Sequence, residues 1–90
     1  MILKLLTEFI GTFVFLSVII LTCEAIPIAL SLGTVIFFGG KISGGHFNPA
    51  VSTMFFVKGG IDLTTYISYI IVQIFAGLCA LYWYKNAYNK

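Results

Sequence analysis

Arginine is absent from the chain, and charge of either sign is scarce. Its 90 residues hold five lysines, three acidic side chains and one histidine, for a formal net charge of +2. The lysines are spread thinly at positions 4, 41, 58, 85 and 90, which excludes a basic face for nucleic acid. His46 has no second histidine to work with and no Asp, Glu or Cys close to it in sequence. No metal-ligand spacing and no nucleophile–base pair can be assembled, so neither a metal, a cofactor nor an enzyme is implied. Cys23 and Cys79 are far apart in apolar runs and read as small buried hydrophobes, not as a disulfide. The two prolines, Pro27 and Pro49, both suit the first turn of a helix and neither suits a helix interior.

What fills the chain is apolar: 60% of residues are hydrophobic, and the mean hydropathy is +1.07. Such a composition lies outside that of soluble domains and marks an integral membrane protein. A helix needs about 20 apolar residues to cross about 30 Å of hydrocarbon, so this length allows about three spans and no second domain. Lys4 ahead of an apolar run, with small residues around Cys23 and Ala25, has the outline of a cleavable leader. Glu8 inside that run argues against cleavage.

The expected architecture is all-α and multi-pass, in one unit over residues 1–90. A first helix covers about 3–23. A second, about 27–40, is short for a crossing and is broken by Gly39-Gly40. A glycine-rich loop and an apolar helix follow over about 41–58, closed by Lys58 and Gly59-Gly60. The helical part is about ten residues, or about 15 Å, half the bilayer, so it enters the membrane without crossing it. Irregular backbone at that depth needs protein or water around it. Asp62 then caps a final span to about 84, with Tyr66 and Tyr69 near one end and Tyr82, Trp83 and Tyr84 near the other as interfacial aromatics. With the N-terminus, Lys41 and Lys58 in the cytoplasm and Lys85 and Lys90 outside, the positive-inside rule favours a cytoplasmic N-terminus by one lysine.

The stretch Ser43-Gly44-Gly45-His46-Phe47-Asn48-Pro49-Ala50 places a helix start inside this lipid-compatible chain. Asn48 can cap through its side-chain oxygen, and Pro49 at the first helical position gives up an N–H that has no partner there. Glu8, the acid well inside a span, is a functional-site candidate because its desolvation must be compensated. It either accepts hydrogen bonds from the loop's N–H groups or His46, bracing the loop, or snorkels at the membrane edge. Gln73, mid-span, needs partners, supplied either by the loop or by a neighbouring helix. Ala76, Gly77 and Ala80 form a small-residue packing face. Among the phenylalanines, Phe47 is the candidate to line a passage.

The run Ile42 to Val51 with Asn48-Pro49-Ala50 at its heart resembles the first such loop of the aquaporin, or major intrinsic protein, family. Glu8-x-x-Gly11-Thr12 and Tyr69-x-x-x-Gln73 stand at matching places. The resemblance covers the N-terminal half of a family member: three spans and one re-entrant half-helix of a fold made from two inverted halves. It implies a passive pore for water or small neutral solutes such as glycerol. Asn48 would donate its amide to the passing oxygen, and the carbonyls of Gly44, Gly45, His46 and Phe47 would form an acceptor ladder. The filter position of the second helix falls on Ile28, and the filter arginine of the family's second half has no counterpart here. Expected partners are the lipid bilayer, the solute, and either a further copy of the chain or a complementary half-channel chain. The competing expectation is a non-conducting protein, truncated or structural, that associates with full-length aquaporins.

Overall fold

A computed structural model of the chain describes residues 1–89, so Lys90 and its part in the lysine balance lie outside the described residues. Four α-helices form: α1 (Ile2–Thr22), α2 (Ala25–Ser43), α3 (Pro49–Lys58) and α4 (Leu63–Trp83), followed by a π-helical turn at Tyr84–Tyr88. α1, α2 and the α4 segment are each long and apolar enough to cross a membrane. α3, with 10 residues, reaches about 15 Å. The architecture is all-α, three spans plus a re-entrant half-helix.

α1 packs against both α2 and α4, while α3 packs on α4. Cys23 ends α1 in the left-handed region at φ 51, its N–H donating to the Ile19 carbonyl. The chain therefore reverses over Cys23 and Glu24. Cys23 stands in that corner and is exposed, and Cys79, within the last long helix, is half-exposed, contrary to the buried reading of both.

The expected break at Gly39-Gly40 does not occur. α2 runs through both glycines to Ser43, and its 19 residues span about 28 Å, enough for a crossing. Glycine at position 39 serves contact: a Cβ there would sit 2.8 Å from Thr7 Cγ2 and 3.0 Å from Phe47 Cζ. The stop comes at Gly44, whose φ of 95 favours glycine and whose N–H closes onto the Gly40 carbonyl.

Ala76 and Ala80 are buried, and a Cβ on Gly77 would lie 3.1 Å from Leu16 Cδ1, so the small-residue face of α4 lets α1 approach closely. The reverse pattern holds outside, where Leu30, Phe37, Phe38, Ile71 and Phe75 are exposed. Inside, the buried set is largely polar: Glu8, Thr12, Ser17, Ser43, His46, Ser52 and Gln73. That inversion is what a lipid solvent permits, provided the polar groups find one another.

Candidate functional site

Between Gly44 and Asn48 the chain leaves α2 and turns back to start α3. Nothing regular satisfies this backbone, and Glu8 supplies what is missing. One oxygen, Oε2, accepts from the His46 N–H at 3.0 Å and the Ser43 hydroxyl at 2.7 Å. The other, Oε1, accepts from the Phe47 N–H at 2.8 Å and Gln73 Nε2 at 2.9 Å. The carboxyl group is fully buried, with its acceptor capacity met by four donors from α2, the loop and α4. Charge-assisted bonds of this kind offset a desolvation cost of several kcal/mol. Phe47 sits at φ 53, a conformation costing a non-glycine residue about 1–2 kcal/mol, and the two N–H bonds to Glu8 hold it there.

A second layer locks the first. Tyr69 Oη donates to the Ser43 carbonyl at 2.6 Å, and Gln73 Nε2 also donates to Ser52 Oγ at 2.9 Å. His46 Nδ1 lies 2.8 Å from Ser52 Oγ, and its ring stacks on Phe55 with centroids 4.9 Å apart. Tyr69 meets the same imidazole edge-on at 5.2 Å. Tyr69 is thus buried in the core, not interfacial, because its hydroxyl and its ring both have partners there. Phe47 likewise turns inward: it is 1% exposed and packs so tightly on α1 that a Cβ on Gly11 would fall 2.2 Å from its Cε1. Its side chain fills the junction of α1, α2 and the loop instead of bordering a polar passage. An apolar hollow of about 400 Å³ between α1 and α2 touches Phe47 but none of Glu8, His46, Asn48 or Gln73.

The groups left without partners are of a different kind. Asn48 is extended at φ −162, and its Oδ1 accepts from the Ala50 N–H at 2.8 Å, capping α3 behind Pro49. The Asn48 side chain is exposed, and its amide N–H groups have no partner among the described residues. The carbonyls of Gly44, Gly45, His46 and Phe47 accept no hydrogen bond among the described residues either. Along the chain, four successive unpaired acceptors thus precede a free donor at the start of the half-helix. Ile28 stands apart, half-buried in the first turn of α2, about 24 Å along that helix from Gly44. Among the described residues no group of His, Cys, Asp and Glu could hold a metal ion.

Ser43 and Ser52 join the site as hydrogen-bond partners although no motif marks them, and Tyr69 lies in the core instead of at the interface. The usable signal was their polarity inside apolar stretches: each must find a hydrogen bond within the fold.

Three membrane-crossing helices with a re-entrant half-helix packed on α4, and a loop of unpaired carbonyls followed by a capping asparagine, define a polytopic membrane protein of the re-entrant-loop class. The family model for Major intrinsic protein matches residues 20–90. Glycerol uptake facilitator protein-like 6 of Lactiplantibacillus plantarum is 45% identical over 87 residues, covering 86% of this chain and 40% of that protein. Aquaporin-8 of Notomys alexis is 52% identical over 54 residues, 60% of this chain and 21% of its own length. Aquaporin PIP1-1 of Oryza sativa subsp. japonica is 35% identical over 91 residues, 82% of this chain and 32% of its length. No solved structure matches. The chain belongs to the major intrinsic protein family, is an integral membrane protein, and spans about two fifths or less of the length of these relatives.

Proposed function

We propose that the chain is one half of a passive transmembrane channel for water or small neutral solutes such as glycerol, and that it conducts once a second half completes the passage. The observation that carries this reading is the row of unpartnered carbonyls at Gly44–Phe47 ending at the free amide of Asn48. A neutral hydroxylic molecule can donate to the carbonyls and accept from the asparagine without any bond being broken. The cap fixes which end of the Asn48 amide faces outward: Oδ1 is engaged, so the N–H groups remain. In this reading Asn48, Pro49 and Ala50 set the centre of the passage, Glu8 and Gln73 brace the loop, and Ile28 occupies the filter position of α2.

Pairing follows from the same carbonyls. Each buried polar group left without a partner costs several kcal/mol in hydrocarbon, so the open side of the loop must face water or protein, never lipid. A half-helix of about 15 Å also fills only one leaflet. The names of the relatives, a glycerol uptake facilitator-like protein and aquaporins, support the solute class. Lys4, Lys41 and Lys58 fall at one end of the bundle, where α1 begins and α2 and α3 end, and Lys85 at the other, which supports a cytoplasmic N-terminus.

The test is osmotic shrinkage of liposomes containing the purified chain, followed by stopped flow, with Asn48→Asp alongside. Permeability above the lipid baseline that falls in N48D supports a pore built from copies of this chain. Baseline permeability from folded, inserted protein refutes a pore made by this chain alone. Conduction gained on co-reconstitution with a complementary half supports the paired channel, and its absence there favours a non-conducting protein.

A further inference from the structure

The buried hydrogen bonds around Gln73 have a direction, and that direction reaches His46. Gln73 Nε2 gives both of its hydrogens away, one to Glu8 Oε1 and one to Ser52 Oγ, while its Oε1 is sealed inside the protein without a partner. The opposite amide orientation would set a carbonyl oxygen against the Glu8 carboxyl oxygen, so the orphaned Oε1 is the lesser cost. Ser52 Oγ therefore acts as acceptor towards Gln73. Among the described residues its own single hydrogen has one further acceptor in reach, His46 Nδ1 at 2.8 Å. A nitrogen that accepts carries no hydrogen, and a neutral imidazole then carries it on Nε2.

We propose that Ser52 is a positioning residue that fixes His46 as the Nε2–H tautomer, making the histidine a hydrogen-bond donor at the loop. Nε2 makes no hydrogen bond among the described residues and is not among the atoms sealed from the surface. It lies over Gly44, where an added Cβ would be 3.2 Å away, and Gly44 is exposed. The donor is thus presented beside the unpaired carbonyls. Its use by a passing water or alcohol oxygen rests on the channel reading, but the tautomer does not. Phe55 stacked on one face and Tyr69 at the edge keep the ring from turning its Nδ1 outward.

His46 is the single histidine of the chain, so nitrogen-15 labelling of histidine reports it alone. Solid-state NMR of the 90-residue chain in liposomes, at about pH 9 where an ordinary imidazole is neutral, reads which nitrogen bears the hydrogen. The expected wild-type spectrum is one species with hydrogen on Nε2 and a bare Nδ1 displaced by an accepted hydrogen bond. Ser52→Ala should lose that displacement and move the tautomer ratio about fivefold towards Nδ1–H, and Ser52→Thr should retain the wild-type pattern. Hydrogen on Nδ1 in the wild type overturns the proposal, as does an S52A spectrum with ratio and Nδ1 position unchanged. Should S52A fail to insert, the wild-type and S52T spectra decide the matter. The readout involves no permeability, so failure of the channel reading leaves it intact.

Discussion

Glu8→Gln is the sharpest perturbation available in this molecule, since it keeps size and shape and alters only what two atoms can accept. In the native chain both oxygens accept, two donors each. The amide has one accepting oxygen and one NH₂. Placed at the Oε2 position, the NH₂ can be accommodated by Ser43, whose hydroxyl can turn and accept, but the His46 N–H is left facing a donor. Placed at Oε1, it can be accommodated by rotating Gln73 so that its orphaned oxygen accepts, but then the Ser52 bond is lost and the Phe47 N–H is stranded. Either way one backbone N–H of the loop loses its partner, and the remaining bonds lose their charge assistance.

A stranded buried donor costs about 1–3 kcal/mol, and loss of charge assistance adds about 1 kcal/mol more. The loop should therefore open more easily by about 2–4 kcal/mol. Amide hydrogen exchange at His46 and Phe47 reads this opening directly, and the expected acceleration is roughly 30- to 700-fold while amides in mid-α1 change little. Two results refute the reasoning: loop amides already unprotected in the wild type, or an E8Q acceleration below about threefold. The first would mean that the carboxylate does not hold the loop, the second that water supplies what the carboxylate was said to supply.

Gly11→Ala should destabilise the protein by about 1–3 kcal/mol in reversible denaturant titration, because the new methyl would enter the Phe47 ring, and Phe47→Leu in the same chain should recover part of the loss. Tyr69→Phe removes the hydrogen bond to the Ser43 carbonyl and should cost about 1 kcal/mol in the same titration, with no change in helix content. The Thr65 side chain, followed by its backbone N–H, holds the Asp62 carboxyl below the ordinary carboxylate value. The contribution of this cap to the start of α4 is therefore full above the unfolded value of about 4 and lost as pH falls through the depressed folded value. The protection of the Thr65 amide relative to an unfolded amide at the same pH should fall only in that acid range, and in Asp62→Asn the acid-dependent step should disappear.

Much of this fold was open to sequence reasoning because the membrane reduces the alternatives. Length and hydropathy require crossing helices, and a run of about ten residues between Pro49 and Lys58 is too short to be one. Asn48-Pro49 announces its own helix start through cap chemistry that is local to three residues. The errors fall where a residue's role depends on who its neighbour is. Gly39-Gly40 reads as a stop in one dimension, yet Gly39 is a contact surface for Thr7 and Phe47, which are remote in sequence. Tyr69 near a helix start looks interfacial until Ser43 and His46 are placed beside it. Ser43 and Ser52 carry no pattern of their own, and only the three-dimensional count of donors and acceptors around Glu8 brings them into the site.

That count also explains why the loop presents carbonyls and not amides. Glu8, the one acid buried within a span, is acceptor-only when ionised, so the loop groups it can hold are N–H groups. Pinning the His46 and Phe47 N–H groups inward on one carboxylate leaves the carbonyls of the same stretch unengaged. The hydrogen-bond polarity of the loop is thus set by a buried residue of another helix. A cation at position 8 would demand the reverse: carbonyls turned in, N–H groups turned out, and an edge that favours anions over hydroxylic solutes. Glu8→Lys should therefore abolish the native loop outright. It buries an unpaired charge against three N–H donors and a hydroxyl, a mismatch of several kcal/mol, and circular dichroism with proteolysis of detergent-solubilised protein should report misfolding. Native-like protease resistance in that variant would mean that the loop's hydrogen-bond polarity is set by something other than Glu8.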